Sequence, residues 1–111
     1  MSILLTGFDA FGGEAVNPSW LMLEAFNGTH IEGHAVHARR LPTAFGHSLL
    51  ALAQHIDDLQ PDLVIAFGQA GGRSTVSLER VAINCDDARI ADNAGNQPVD
   101  ARIFSHAQNA Y

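Results

Sequence analysis

The sequence predicts an α/β protein in which a mostly parallel sheet is flanked by helices, as in an α/β/α sandwich. Short apolar runs at residues 2–6, 34–41 and 63–67 each stop at a glycine or a proline, which is typical of buried strands. Segments with helical spacing lie between these runs. Strands that alternate with helices of this length lie parallel in one sheet, with the helices covering its faces.

The composition fits one folded domain spanning residues 1–111. Hydrophobic residues make up 47% and charged residues 16% of the 111 residues, without the charge excess of a disordered chain. A chain of this size builds one modest core, and a large second lobe is excluded.

The net charge of -6 argues against nucleic-acid binding, because no basic stripe is present. All six basic residues are arginines, and Arg73, Arg80 and Arg89 are grouped in one part of the sequence. Arginine suits bidentate contacts to planar oxyanions or carbonyl-rich ligands, so this grouping indicates a candidate site.

The single cysteine, Cys85, excludes an internal disulfide and a CxxC metal motif. Residues 1–6 lack the charged region of a signal peptide, and no run approaches the ~20 apolar residues of a membrane span. We therefore expect a cytoplasmic protein with no membrane partner.

The first predicted strand, residues 2–6, ends at Gly7 and leads into a loop that contains Phe8 and Phe11. The two rings either plug the end of the strand or form the apolar wall of a ligand pocket. Asn17 before Pro18 is a strong helix start, and this helix should run through Phe26 and stop at Asn27 and Gly28.

The second strand, residues 34–41, is expected near an edge of the sheet. Thr43 is the predicted N-cap of a second helix, whose apolar positions recur at helical spacing: Phe45, Leu49, Leu52 and Ile56. The histidines at positions 30, 34 and 37 span a predicted turn at Gly33 and then a strand, and no fourth ligand is evident, so we predict no metal site.

The third strand, residues 63–67, ends in a glycine turn at residues 68–73. Ligands sit at the carboxyl ends of strands in open α/β sheets, so Gln69 to Arg73 is a candidate site. Residues 76–84 are apolar enough for a further extended segment, in which Glu79 either pairs with Arg80 or Arg73 or has a function. Residues 86–98 are rich in turn-forming residues.

Known glycine motifs do not explain this turn. The GxGxxG, GxxxxGK and GxSxG patterns are all absent. A phosphate- or nucleotide-binding turn at residues 68–73 is a further alternative. Cys85 is expected to be a small buried hydrophobic residue rather than a reactive thiolate.

Five strings together resemble the pyroglutamyl peptidase I (pyrrolidone carboxyl peptidase) family of cysteine exopeptidases. They are LLTGFDAFGGEAVNPSW from Leu4, LPTAF from Leu41, QPDLVIAFGQAGGR from Gln60, LERVAIN from Leu78 and DARIADNAGNQPV from Asp87. These strings are long and correctly ordered, and they cover nearly the whole chain.

The resemblance implies an α/β/α enzyme that removes N-terminal pyroglutamate from peptides with a Cys, His and acid triad. It implies no cofactor, and it implies a cytoplasmic homo-oligomer, a tetramer in the family. Glu79 matches the acidic member that orients the catalytic His, and Arg89 matches an arginine near the oxyanion site. Phe8 and Phe11 match the aromatic residues around the pyrrolidone ring.

Asn17 and Gln69 match polar residues around the same pocket. The family's nucleophilic Cys motif and its His lie further along the chain than the 111 residues of this sequence. We therefore expect an N-terminal half that holds the pocket and the triad acid and is inactive by itself. The alternative is a noncatalytic binding or assembly module, because a half-sheet would leave an open strand edge.

Overall fold

The computed structural model describes all residues from 1 to 111. It contains four strands, two α-helices and one short 3₁₀ helix. In chain order these are β1 (Ser2–Phe8), α1 (Pro18–Leu23), the 3₁₀ helix (Glu24–Phe26), β2 (His30–Ile31), β3 (His34–Leu41), α2 (His47–Leu59) and β4 (Leu63–Ala66).

The four strands form one sheet in the order β2-β3-β1-β4. β1 pairs in parallel with β3 on one side and with β4 on the other, whereas β2 and β3 form an antiparallel hairpin. The mostly parallel α/β sheet is therefore confirmed. The turn at Gly33 is also confirmed, since Glu32 and Gly33 have φ values of 50° and 79°. The two-residue strand β2 was not predicted, because it is too short to carry a pattern.

The main hydrophobic cluster lies between α1 and the sheet. It contains Leu5, Leu23, Val36 and Ala38, which are all buried, with Trp20 packed against them. Helix α1 approaches β1 closely because position 7 is a glycine: a Cβ there would lie 2.8 Å from the carbonyl oxygen of Ser19. One cluster of the predicted modest core thus lies on the α1 face of the sheet, and Leu4, which alternates with Leu5 along β1, is fully buried on the opposite face.

Helix α1 begins as the sequence predicts. Asn17 is the N-cap, and its Oδ1 accepts hydrogen bonds from the backbone N–H of Ser19 at 3.0 Å and from the Ser19 hydroxyl at 2.7 Å. The α-helix ends at Leu23 and continues as the 3₁₀ helix to Phe26, so the predicted end is confirmed with a tighter last turn. Gly28 then takes a φ of 80°.

Helix α2 begins three residues later than the sequence predicts. Thr43 is not its N-cap, because the Thr43 hydroxyl donates to the carbonyl oxygen of Asp9 at 2.7 Å instead. The N-cap position belongs to Gly46, which has a φ of 76° and offers no side chain to cap the helix. The helix ends at Leu59, and its C-cap Gln60 takes a left-handed conformation with φ of 44° just before Pro61.

The extended segment predicted at residues 76–84 is not a strand. Ile83 makes a single antiparallel bridge with Ala110, and Val76 and Leu78 are 81% and 91% exposed. An apolar run becomes a strand only where another strand offers hydrogen bonds, and none of the four strands lies beside this segment. None of the helices is long and apolar enough to cross a membrane.

Candidate functional site

Two adjoining cavities lie where β1 and β3 end. Both are lined by Thr43, Phe45 and Asp92. The first has a volume of about 220 Å³ and also contacts Phe8, and the second has a volume of about 290 Å³ and also contacts Phe11. Carboxyl ends of parallel strands meet at this edge, which is where α/β proteins bind ligands.

The two predicted aromatic residues each line one of these cavities. Phe8 is the last residue of β1, and Phe11 lies in the loop that follows. Both residues are half-buried. The structure thus brings Phe8 and Phe11 to neighbouring walls of one site.

Arg89 contributes a cation to the second cavity. It is exposed and forms no salt bridge, whereas Arg40 pairs with Asp9 and Arg73 pairs with Glu79. A guanidinium without a carboxylate partner retains all its donors for a ligand. The structure places Arg89 with Phe11 and Phe45 around the same space.

Asn17 contacts the loop that carries the phenylalanines and does not line either cavity. The side chain is 5% exposed, and its Nδ2 donates to the carbonyl oxygen of Asp9 at 3.0 Å while its Oδ1 caps α1. Both ends of the amide therefore have partners within the protein. Asn17 holds the start of the loop between Phe8 and Phe11.

Gln69 and Glu79 lie outside both cavities, and both are exposed. Glu79 Oε1 accepts a hydrogen bond from Arg73 Nη1 at 2.7 Å. Of the two arginines predicted as partners, Glu79 therefore pairs with Arg73 and not with Arg80. The side chains of Arg73 and Glu79 are 51% and 75% exposed. A solvent-exposed ion pair of this kind contributes little to the stability of the fold. The structure does not bring Gln69 or Glu79 together with the phenylalanines.

The glycine turn at residues 68–73 is also exposed, and no helix follows it. Phosphate sites of the P-loop and dinucleotide type use the N-terminus of the next helix. The nucleotide-binding alternative therefore lacks the geometry on which such sites depend.

Sequence reasoning missed Asp92, which joins two loops at the site. Its carboxylate accepts backbone N–H bonds from Phe45 at 2.7 Å, Ala94 at 2.9 Å and Asn96 at 2.8 Å. Desolvation raises the pKa of Asp92, but these hydrogen bonds to the ionised form outweigh it, so the net pKa is lowered. The turn-rich composition of residues 86–98 was the available signal, but it does not reveal a partner at Phe45.

Cys85 differs from the predicted buried hydrophobic residue because it is only half-buried. Its thiol donates to Asp100 Oδ1 at 3.5 Å. Desolvation raises the pKa of Cys85, and the hydrogen bond and charge of Asp100 raise it further. The thiol therefore stays protonated at neutral pH, which agrees with the expectation that Cys85 is not a reactive thiolate.

Asp86, beside Cys85, lines the first cavity. Desolvation raises the pKa of its carboxyl group. The structure contains no cluster of three or more His, Cys, Asp or Glu side chains that could hold a metal ion, and His30, His34 and His37 belong to the β2–β3 hairpin.

The fold and the candidate site together define an α/β protein with two largely apolar cavities at the carboxyl edge of a mostly parallel sheet. The walls are aromatic and aliphatic, and one arginine lies at the rim. Such a site suits a small ligand with a flat apolar body and a polar edge.

Comparison with known proteins identifies the family. Residues 1–111 match the family described as pyroglutamyl peptidase, and the chain belongs to it. Pyrrolidone-carboxylate peptidases from Yersinia pestis (strain Pestoides F) and Yersinia pseudotuberculosis (serotype O:1b, strain IP 31758) are each 55% identical to it over 109 residues. That alignment covers 98% of this chain and 51% of either relative.

Solved structures agree on the fold. Pyroglutamyl peptidase I from Bacillus amyloliquefaciens superposes with a TM-score of 0.96 at 48% identity, covering 99% of this chain and 52% of that one. A mutant pyrrolidone carboxyl peptidase from the hyperthermophile Pyrococcus furiosus gives 0.97 at 40% identity, covering 100% and 53%. The chain therefore spans about half the length of the relatives it matches.

Proposed function

We propose that residues 1–111 form the substrate-pocket part of a cysteine exopeptidase that hydrolyses N-terminal pyroglutamate from peptides. The observation that carries this proposal is the pair of adjoining cavities walled by Phe8 and Phe11, with Arg89 at the rim. A pyrrolidone ring is flat and uncharged, with an amide along one edge. Apolar walls bind its faces, and a few aimed polar groups recognise its edge.

The remaining site residues have roles that the family membership supports. In the complete enzyme a Cys thiolate attacks the pyroglutamyl carbonyl and a His transfers protons, with Glu79 orienting that His. Arg89 lies near the oxyanion, Gln69 contacts the substrate, and Asn17 acts through the loop that it holds.

Glu79 is available for such a role because its present partner holds it weakly. The pair with Arg73 is exposed on both sides, and pairs of this kind contribute about 0–1 kcal/mol. Glu79 can therefore leave Arg73 and pair with the catalytic histidine at little cost in free energy. Residues 68–83 are exposed, which leaves room for that histidine to approach Glu79.

The isolated 111 residues are inactive in this proposal. Their single thiol, Cys85, is protonated and bonded to Asp100, and it lines neither cavity. We further propose that the complete protein is a cytoplasmic homo-oligomer that needs no cofactor.

Hydrolysis of pyroglutamyl-7-amido-4-methylcoumarin tests the function. A full-length protein carrying residues 1–111 should release the fluorophore, and residues 1–111 alone should not. Glu79→Ala should lower kcat by about two to four orders of magnitude, as loss of a triad acid does elsewhere. Glu24→Ala, at an exposed glutamate that follows α1 and lines neither cavity, is the matched control and should keep full activity. Full kcat in Glu79→Ala would refute the role of Glu79.

A second candidate, a noncatalytic assembly module, is favoured by one observation. β4 is an edge strand, paired on one side with β1, and its Leu63, Val64 and Ile65 are 48%, 38% and 40% exposed. An apolar strand edge of this kind binds other strands. The state of association of the 111-residue chain tests this candidate.

A further inference from the structure

We propose that Thr43 is a positioning residue for the pyrrolidone pocket and that its hydroxyl sets the separation between the phenylalanine walls. The proposal rests on the function proposed above and deepens it. Thr43 lines both cavities, and it is one of three residues that do. It lies in the loop that connects β3 to α2.

The Thr43 hydroxyl ties this loop to the loop that carries the aromatic walls. It donates to the carbonyl oxygen of Asp9 at 2.7 Å, between Phe8 and Phe11 in the sequence. The same carbonyl oxygen accepts from Asn17 Nδ2 at 3.0 Å. Both lone pairs of this oxygen are thus occupied, which fixes the peptide plane between the two rings.

The backbone of Thr43 ties its loop to the segment that carries Arg89. The Thr43 carbonyl oxygen accepts from the N–H of Asn93 at 3.0 Å, and Asn93 Nδ2 donates to the carbonyl oxygen of Ala10 at 2.8 Å. Three loops are therefore closed into one hydrogen-bonded ring, with Thr43 bonded to the other two.

The loop between β1 and α1 is also held at Asp9, whose N–H donates to the carbonyl oxygen of Leu41 at 3.0 Å and whose carboxylate pairs with Arg40 at 2.9 Å. Gly12 and Gly13 have φ values of 63° and 81°, and the chain from Gly12 to Val16 is exposed. Glycines in such a loop leave many backbone conformations open, so side-chain hydrogen bonds select the conformation that is occupied. Without the Thr43 hydroxyl, Phe11 should move relative to Phe8 and Arg89.

The test compares side chains of similar shape with and without the hydroxyl, in a full-length protein that carries residues 1–111. Thr43→Val and Thr43→Ala should each raise KM for pyroglutamyl-7-amido-4-methylcoumarin about fivefold or more, the factor expected for one hydrogen bond, with a smaller effect on kcat. Thr43→Ser keeps the hydroxyl and should restore KM. Backbone amide exchange of residues 9–14 should accelerate in the Val and Ala variants.

Thr29→Val is the matched control. The Thr29 hydroxyl donates to the carbonyl oxygen of Phe26 at the same 2.7 Å, but Thr29 lines neither cavity. It should leave KM and the exchange of residues 9–14 unchanged.

The outcomes separate this inference from the function on which it rests. Unchanged KM in both Thr43→Val and Thr43→Ala, or a loss confined to kcat, would overturn the positioning role. If the unsubstituted protein fails to hydrolyse the probe, the proposed function is wrong, and amide exchange still decides whether Thr43 holds the loop. Unchanged exchange in the Val and Ala variants then refutes the inference.

Discussion

Asp92 joins the two loops at the site through backbone hydrogen bonds that favour its charged carboxylate. Its pKa is raised by desolvation and lowered more strongly by the N–H groups of Phe45, Ala94 and Asn96, with a net lowering. A carboxylate with a lowered pKa in the folded state stabilises the fold fully above its unfolded pKa of about 3.9. That stabilisation is lost as the pH falls through the folded pKa.

Asp92→Asn should therefore destabilise the protein at neutral pH and lose this effect in acid. Urea unfolding at about pH 7, 5 and 3 measures the free-energy difference between the variant and the unsubstituted protein, which should shrink at the lowest pH. A difference that stays constant across this range would contradict the assignment.

Asp86 provides a control in the same protein, because its pKa is shifted in the direction opposite to that of Asp92. Desolvation raises its pKa, so its contribution to stability is present below the unfolded pKa and is lost as the pH rises through the folded pKa. Asp86→Asn should gain stability relative to the unsubstituted protein as the pH rises, whereas Asp92→Asn should lose it.

At the scale of elements, the packing of α1 on β1 depends on Gly7. A Cβ at position 7 would lie 2.8 Å from Ser19 O and 2.9 Å from the Cα of Trp20, both of which are backbone atoms. Backbone atoms cannot rotate away as a flexible side chain does, so the helix itself has to shift. The cluster of Leu5 and Leu23 then loses its packing.

Gly7→Ala should destabilise the protein by about 1–3 kcal/mol or more, the usual range for overpacking. Gly71→Ala is the control, since a Cβ there has open space and the backbone φ is not in the left-handed region. It should change the stability by less than about 1 kcal/mol. Thermal and urea unfolding of the two variants measure the difference. Equal midpoints would show that α1 can retreat without loss.

At the scale of the whole molecule, the chain leaves one edge of its sheet without a partner strand. β4 has no strand on its outer edge, and α2 has no fully buried residue. The apolar stripe predicted for α2, with Phe45, Leu52 and Ile56 on it, is half-buried at best. The core sits instead between α1 and the sheet.

We expect the 111-residue chain to self-associate through β4. Val64→Lys should weaken this association, because a lysine on an edge strand opposes pairing with another strand. Val76→Lys is the control, since Val76 is 81% exposed but belongs to no strand. Sedimentation velocity over a range of concentrations measures both. A monomer at every concentration would count against association through β4 and against the assembly-module candidate.

Much of the fold was predictable because its signals are local. The strands β1, β3 and β4, the Asn17 cap and the turn at Gly33 each depend on residues within a few positions of one another. Capping and periodicity act over that distance. The long ordered strings that resemble pyroglutamyl peptidases likewise pointed to the family that the comparisons confirm.

The sequence by itself determined the parallel α/β architecture, the family and the presence of Phe8, Phe11 and Arg89. Only the tertiary structure decided which of these residues meet, because the bonds that assemble the site join positions far apart in the chain. Thr43 reaches Asp9, and Asp92 reaches Phe45. Threonine before a helix is locally an N-cap, and a competing acceptor in a distant loop overrides that preference once the sheet brings the two loops together.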